Sequence, residues 1–592
     1  MSLFISPFLS SLFKLHVLVG AVTALLVSLL PLEIYADGGT LLDTTTLLHS
    51  GNTRDKIDIV LLGDGFTDAQ QDVFNTRVEE AIREFLNSHP IFALRSAFNF
   101  HRVNIGSPES GTDHFSTCNG MPTEFSDRQV RTALDTGYCN AGRGTGAGSG
   151  SVYRAVASAT ESTVFEFARA APDDDIIVVV INDSDKGGSA IPGDTPVAFM
   201  TLHSEFKRIL VHELGHAVFN LADEYDYEGP GRYAGSEPPE ANITVQTNRD
   251  LLKWNSLVLP STAIPTQRKN EDDCRVRTRP PEGLPPVPEE VVASDIVGTF
   301  EGATYSSCDI YRGEPNCTMR HSAQPFGAVC RRKIIQSLVP HLGSVREITF
   351  DRLLIKDDHD PWPRGNGEIY LLYDLRANAE EISGRWPASG ESSFGNNQTK
   401  VINVYAGTLP EPAAGTSAAI GVRVREADWP DADDALSTDA TEVLPALGSF
   451  TVDRSDYRLQ GNVRPADLRV LLDSLHIKND RDAVGTGDVF IQYTVSNGQR
   501  EIRGRWPFVG TVGINDGRTR EVGILAAAIS RPATGNNLTI RIRVVDEDFF
   551  GDAVIGEDTF IFTRAQDYGA AAAVHVFDRS NYRITLSVAG TP

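Results

Sequence analysis

The carboxyl-terminal half of the chain is written twice, and this constrains its architecture more than any other feature. Asp453-Arg454-Ser455-Asp456-Tyr457-Arg458 returns as Asp578-Arg579-Ser580-Asn581-Tyr582-Arg583. Ile355-Lys356-Asp357-Asp358-His359-Asp360 returns as Ile477-Lys478-Asn479-Asp480-Arg481-Asp482, and Gly384-Arg385-Trp386-Pro387 returns as Gly504-Arg505-Trp506-Pro507. The copies are offset by about 120–125 residues, a domain's length and far beyond the period of a solenoid. Each copy reads as short alternating strands separated by turns, the pattern of a β-sandwich. The expectation is one sandwich over residues 345–462 and another over 463–592.

The stretch before the repeats has a different texture. Ile57-Asp58-Ile59-Val60-Leu61-Leu62 reads as a buried strand ending at Gly63-Asp64-Gly65. The spacing predicts a helix next, capped by Thr67, with Val73, Phe74, Val78, Ala81, Ile82 and Phe85 on its inner face. Ile176 to Ile181 is a second buried strand, and Ala141 to Ser151 is a Gly/Ser-rich loop. Strands alternating with helices imply an α/β domain over residues 37–344.

Composition removes several classes. With 41% hydrophobic and 22% charged residues, the chain fits neither disorder, collagen nor a coiled coil. Its 79 acidic residues against 54 Lys and Arg leave a net charge of -25, which repels a phosphate backbone and argues against nucleic acid as a partner.

Leu15 to Leu32 is an apolar run without Asp, Glu, Lys or Arg, preceded by Lys14 and followed by Ile34-Tyr35-Ala36. Residues 1–36 read as a signal peptide, with an uncleaved anchor as the alternative. Either sends the rest of the chain to a secreted, periplasmic or cell-surface location. All six cysteines (Cys118, Cys139, Cys274, Cys308, Cys317 and Cys330) lie in the first domain. In an oxidising compartment an even count favours disulfides, but the pairing stays open among fifteen arrangements.

His212-Glu213-Leu214-Gly215-His216 is the stretch that speaks of chemistry. Histidines at i and i+4 share one helical face, so both imidazoles can reach one ion. Zinc suits imidazole, and a catalytic zinc keeps a position for water. Glu213 stands where a general base would act on that water. The bland reading is a helix with two surface histidines. Past the helix, Asn220 tolerates a left-handed conformation and can end the helix as glycine would.

His212 to Tyr225, H-E-L-G-H-A-V-F-N-L-A-D-E-Y, resembles the signature of the IgA-protease family of secreted bacterial zinc metallopeptidases. Val60 to Thr67, Phe98-Asn99-Phe100, Ser107 to Asp113, Asn182 with Gly187-Gly188-Ser189, Asn242-Ile243-Thr244 and Lys253-Trp254 are similar to further blocks of that family. So, in order, are Phe300-Glu301-Gly302-Ala303-Thr304-Tyr305, Tyr311-Arg312, Asn316-Cys317-Thr318-Met319-Arg320 and Cys330. The resemblance implies a metzincin-like zinc endopeptidase in the α/β domain. It implies Asp223 as third zinc ligand, with Glu224 as the alternative, and Met319 as the methionine turn beneath the metal. His321, two residues after Met319, is a candidate for stabilising an oxyanion, and Gly187-Gly188 for admitting substrate backbone; a surface histidine and a plain turn are the alternatives.

The repeats carry acidic loops. Asp546, Asp548 and Asp552 sit close in the last repeat, with Asp480, Asp482 and Asp488 in an earlier loop. Carboxylates so spaced can converge on calcium from a loop tip, and the arrangement resembles calcium-dependent phospholipid-binding sandwich domains of the C-two type. The first repeat keeps Asp358, Asp360, Asp428, Asp431, Asp433 and Asp434 less regularly. A solvated acidic face is the alternative in both. Trp386 and Trp506 are expected to pack their repeats, with an arginine over the ring.

The sequence therefore reads as a multidomain protein, an α/β metzincin-like zinc protease domain followed by two β-sandwich domains. Its cofactors would be Zn2+ for catalysis and Ca2+ in the repeats. Its partners would be a protein or peptide substrate and, through calcium, a surface or membrane. A secreted adhesin or binding protein with a vestigial protease domain is the alternative, disfavoured by the intact His212, Glu213 and His216.

Overall fold

The computed structural model describes residues 38–591 apart from 119–120, 140–155, 160, 227–230, 273, 275–295, 344, 359–365, 378–379, 388–389, 411, 413–415, 428–433, 481–486, 508–509 and 548–551. Residues 1–36, read above as a signal peptide, and the loop from Ala141 to Ser151 thus lie outside the described residues. The protein is multidomain and mostly β-sheet, and no helix among the described residues is long and apolar enough to cross a membrane.

The first part is built on a six-stranded mixed sheet. Its strands are β1 (Thr40–Leu48), β2 (Ile57–Asp64), β3 (Phe98–Gly106), β4 (Ile176–Ile181), β5 (Gly188–Ile191) and β6 (Val197–Thr201), in the order β1-β3-β2-β4-β6-β5. The inner strands run parallel and β5 runs antiparallel to β6. Every residue of β2 is buried because both faces are covered. Ile59 and Leu61 face α1 (Gln71–Asn87) and α3 (Phe206–Phe219), while Val60 and Leu62 face α2 (Glu161–Ala168).

Thr67 does not cap α1 itself. It opens a 3-10 turn over Asp68–Gln70, where Gln70 Oε1 accepts its backbone N–H at 3.1 Å, and α1 follows. Phe74, Val78, Ala81, Ile82 and Phe85 form the buried stripe, whereas Val73 is 47% exposed. It stands one residue before Phe74, about 100° around the helix and off that stripe.

Later in the chain, β7 (Phe300–Ala303) and β8 (Ser306–Arg312) form a hairpin, and α4 (Ala328–Leu338) packs beneath α3. Cys118 bonds Cys139 and Cys274 bonds Cys308. The expectation that all six cysteines pair is corrected for the third couple. Cys317 and Cys330 are buried free thiols whose sulfurs lie 3.2 Å apart, in contact but beyond the roughly 2.05 Å of a bond.

The repeats share one topology. In the first, the sheet containing Gln398–Pro410, Val345–Ile355, Tyr457–Ala466 and Gly448–Asp453 faces one containing Glu380–Trp386, Gly367–Ala377 and Ala419–Glu426. The second repeats that order with Arg518–Ile529, Leu468–Ile477, Tyr582–Gly590 and Val574–Asp578, facing Glu501–Trp506, Gly487–Ser496, Leu538–Asp546 and Ala553–Phe562. Both arrangements are compatible with β-sandwiches, each with its own core.

The Gly-Arg-Trp-Pro motif acquires a physical reason. Gly384 pairs with Tyr373, whose hydroxyl stands 2.2 Å from where a Cβ would be, and Gly504 meets Tyr493 in the same way. The arginine stacks elsewhere than expected: Arg385 lies over Tyr370 at 4.3 Å and Arg505 over Phe490 at 4.1 Å, not over the tryptophans.

Candidate metal centre and active site

The helix α3 buries Ile209, Leu210, Leu214 and Phe219 in the core shared with Ala198 and Met200 of β6. That packing leaves His212 and His216 half-buried on one side, with their Nε2 atoms 3.1 Å apart. Asn220 ends the helix at φ 49°, ψ 49°, its N–H returning to the carbonyl of His216 at 3.0 Å. This left-handed residue turns the chain back along the histidines. Asp223 Oδ1 then lies 3.1 Å from His212 Nε2 and 3.2 Å from His216 Nε2.

The three donor atoms form a near-equilateral triangle, close to what ligands at about 2.0–2.1 Å from one ion require. The ring orientations agree. His212 Nδ1 donates to the carbonyl of Thr318 at 3.0 Å and His216 Nδ1 to that of Leu221 at 2.6 Å. A carbonyl only accepts, so each neutral ring carries its proton on Nδ1 and offers the Nε2 lone pair to the triangle. This donor set fits zinc. Without a cation, burial opposes charge on both imidazoles, but the Asp223 carboxylate outweighs it and raises both, His216 to about 9. Asp223 is held far below the usual carboxylate range by the two histidines, against its burial.

The floor is built by Met319. Its sulfur would stand 2.5 Å from a Cβ on Gly215, so only glycine fits there, and its carbonyl accepts the N–H of Glu224 at 2.8 Å. Glu224 itself points away from the triangle. It is 1% exposed, accepts from Asn242 Nδ2 at 2.9 Å and touches the Cys330 sulfur at 3.5 Å; burial pushes its carboxyl up to about 7. Glu224, Cys317 and Cys330 form a second, fully buried group.

Glu213 is 7% exposed, and burial raises its carboxyl. It meets the start of β5: a Cβ on Gly188 would lie 2.6 Å from Glu213 Oε1. Gly187 is tied to Thr201 through both its N–H and its carbonyl, while among the described residues β5 is the edge strand of the sheet, so its outer backbone edge begins at Gly188 beside that carboxylate. A cavity of about 280 Å³, lined by Phe165, Ile191, Pro192, Val197 and Phe199 among others, lies at the far end of β5. His321 closes the turn after Met319, with its N–H on the carbonyl of Cys317 at 2.9 Å.

Sequence reasoning assigned no role to Tyr225 and Tyr305. Tyr305 Oη donates to Asp223 Oδ2 at 2.7 Å, and Tyr225 Oη donates to Tyr305 Oη at 3.1 Å. Tyr225 also stacks at 20° and 6.5 Å on the His212 ring. The family blocks contained both residues, and the pairing of their hydroxyls across 80 positions is a tertiary fact.

In the last repeat, Asp480 and Asp546 are 3% and 0% exposed and Asp552 is exposed, whereas Asp482 and Asp548 lie outside the described residues. Asp546 pairs with Val489, and Glu426 pairs with the matching Ile369 of the first repeat. Asp358 and Asp480 stand against Gly367 and Gly487 at that same corner. A buried carboxylate pair therefore recurs in both repeats.

Residues 45–279 match the family model described as IgA Peptidase M64, which supports a peptidase family. No curated protein matches the chain. Among solved structures, the chain is similar to extended-synaptotagmin 2 comprising its SMP and two C-two domains, at 12% identity over 42% of this chain and 56% of that one, TM-score 0.20. It is also similar to the calcium-bound C-two pair of the same protein, at 14% identity over 42% and 95%, TM-score 0.20. Human GIVD cytosolic phospholipase A2 matches at 13% identity over 42% and 33%, TM-score 0.20. The chain spans about half the length of the first of these and a third of the phospholipase, and a likeness at that TM-score carries no argument.

Proposed function

We propose that the protein is a secreted zinc-dependent endopeptidase of metzincin-like design. The observation that carries this reading is the convergence of His212 Nε2, His216 Nε2 and Asp223 Oδ1 within one helix turn of a buried glutamate. His212, His216 and Asp223 would hold the metal. Bound zinc supplies Lewis-acid polarisation of the peptide carbonyl and lowers the pKa of water towards about 7.

The chain's own residues do the rest. Glu213, raised by its burial, accepts a proton from the attacking water and returns it to the departing amine, the double duty that a carboxylate tuned upwards performs well. Thr318 and Leu221 hold the imidazoles in the tautomer that leaves Nε2 free. Met319 fixes the height of α3 through Gly215. An extended substrate would lie along the edge of β5, where residues paired with Ser189 or Ile191 would point to the cavity face and those paired with Gly188 or Ala190 to Glu213.

The repeats are proposed to bind calcium for stability or targeting, a reading supported by the carboxylate pairs Asp358 with Glu426 and Asp480 with Asp546. Hydrolysis of casein or gelatin by the purified protein, lost on chelation and restored by zinc, tests the main proposal. No hydrolysis with zinc present would favour a binding protein instead.

A further inference from the structure

The tip of the hairpin β7–β8 is a two-residue connection, Thr304–Tyr305, with φ of 40° and 66°. Positive φ at both positions belongs to the mirror-image turn that suits strand twist, and such turns favour Asn-Gly. A β-branched threonine in this region is a genuine outlier. Strain of this kind persists only where surrounding contacts over-determine it, and it gathers at functional sites.

The contacts that impose it all lead to the metal-ligand segment. The N–H of Thr304 donates to the carbonyl of Asp223 at 2.9 Å, and the N–H of Tyr305 to that of Tyr225 at 3.0 Å. The Tyr305 hydroxyl donates to Asp223 Oδ2 at 2.7 Å. The hairpin behind the tip is stiff: the fully buried Arg312 guanidinium donates to the carbonyls of Glu301 and Gly302 at 3.0 and 2.6 Å, and Cys308 is bonded to Cys274. Tyr305 is 40% exposed, so core filling does not account for it.

We propose that Tyr305 is a positioning residue that restricts Asp223 to one-oxygen ligation. Resting on the zinc-peptidase reading, the argument is that Asp223 Oδ1 faces the two imidazoles while Oδ2 is taken by the phenol. The carboxylate therefore cannot rotate to present both oxygens, and the position a second oxygen would fill stays open for water. The strained tip holds the phenol at that oxygen.

The test is Tyr305→Phe in the full chain, which keeps the ring packed on Tyr225 and removes only the hydroxyl. Zinc content, the rate of zinc release to a chelator, and the metal's coordination number by X-ray absorption are read beside the melting temperature. The expected result is a melting temperature that matches the unsubstituted protein when both are zinc-free, zinc release faster by about 10–100-fold, and a higher coordination number. Release and coordination equal to those of the unsubstituted protein would overturn the proposal. If the unsubstituted protein binds no zinc, the peptidase reading itself fails, an outcome distinct from failure of the Tyr305 argument.

Discussion

His89 and Asp473 stand 384 positions apart in the sequence and 2.8 Å apart in space, both almost fully buried. His89 follows α1 in the first domain, and Asp473 lies on Leu468–Ile477 of the last repeat. Ser587 donates to the same carboxylate at 2.7 Å and Arg331 of α4 lies 3.7 Å away. Ala573, Val574 and Ala589 of the last repeat join the apolar core of the first domain. The last repeat is thus docked on the domain that carries the candidate metal centre. Asp473→Ala would leave a histidine, an arginine and a hydroxyl buried without that partner, and should cost about 3–5 kcal/mol in denaturant unfolding. A loss below about 0.5 kcal/mol would mean that the interface does not depend on this network.

Glu213→Gln should keep zinc and lose peptide hydrolysis by at least about 100-fold, because the amide preserves size but cannot carry the proton. Metal analysis beside a casein assay checks both halves. Near-native turnover would remove Glu213 from the proton path.

Asp223→Ala should lose bound zinc, since Oδ1 closes the donor triangle. Glu224→Ala should retain most of its zinc and instead lower the melting temperature, because it empties a buried site held by Asn242 and Cys330. The opposite order of metal loss would make Glu224 the third ligand.

What could be read in advance was local. The i, i+4 histidines, the left-handed Asn220 and the apolar period of α1 depend on neighbours a few residues away. Gly-Arg-Trp-Pro is legible twice in the sequence, and at both places the glycine faces a tyrosine across the strand that leaves no room for a Cβ. The misses are contacts made by distant segments. Tyr305 reaches Asp223 from a hairpin 82 positions later, Arg385 chooses Tyr370 over its neighbour Trp386, and the docking of Asp473 on His89 leaves no periodic trace. Cys317 and Cys330 were placed together by α4 and the Met319 turn, and cysteine counting carries no information about distance.

Glu314 makes stability depend on pH. Burial pushes its carboxyl up to about 8, with Arg331 and the N–H groups of Ala328 and Val329 offsetting only part of that. A folded pKa above the unfolded 4.5 means that folding retains a proton: the stability is fully present below pH 4.5 and is lost as pH rises through about 8. Each pH unit in that window should remove up to about 1.4 kcal/mol. Glu314→Gln, a neutral near-isostere, should melt like the unsubstituted protein at pH 4 and above it at pH 9. Identical melting at pH 9 would show that Glu314 ionises in the fold without cost.

Calcium in the repeats is best tested on the whole chain, because a fragment of the last repeat would expose Ala573, Val574 and Ala589 where they meet the first domain. Asp480 and Asp546 are buried at one corner of the last repeat and recur as Asp358 and Glu426 in the first. A ligand that binds only the folded state stabilises it by about 2.7 kcal/mol at a hundredfold excess over its dissociation constant. With zinc held constant, titrating calcium should therefore raise the melting temperature by several degrees, and magnesium should do so poorly because it demands a tighter octahedron. Asp480→Asn combined with Asp546→Asn should melt at one temperature with or without calcium, whatever its absolute stability. If the unsubstituted chain shows no calcium-dependent shift, these carboxylates serve only to pair the loops around them.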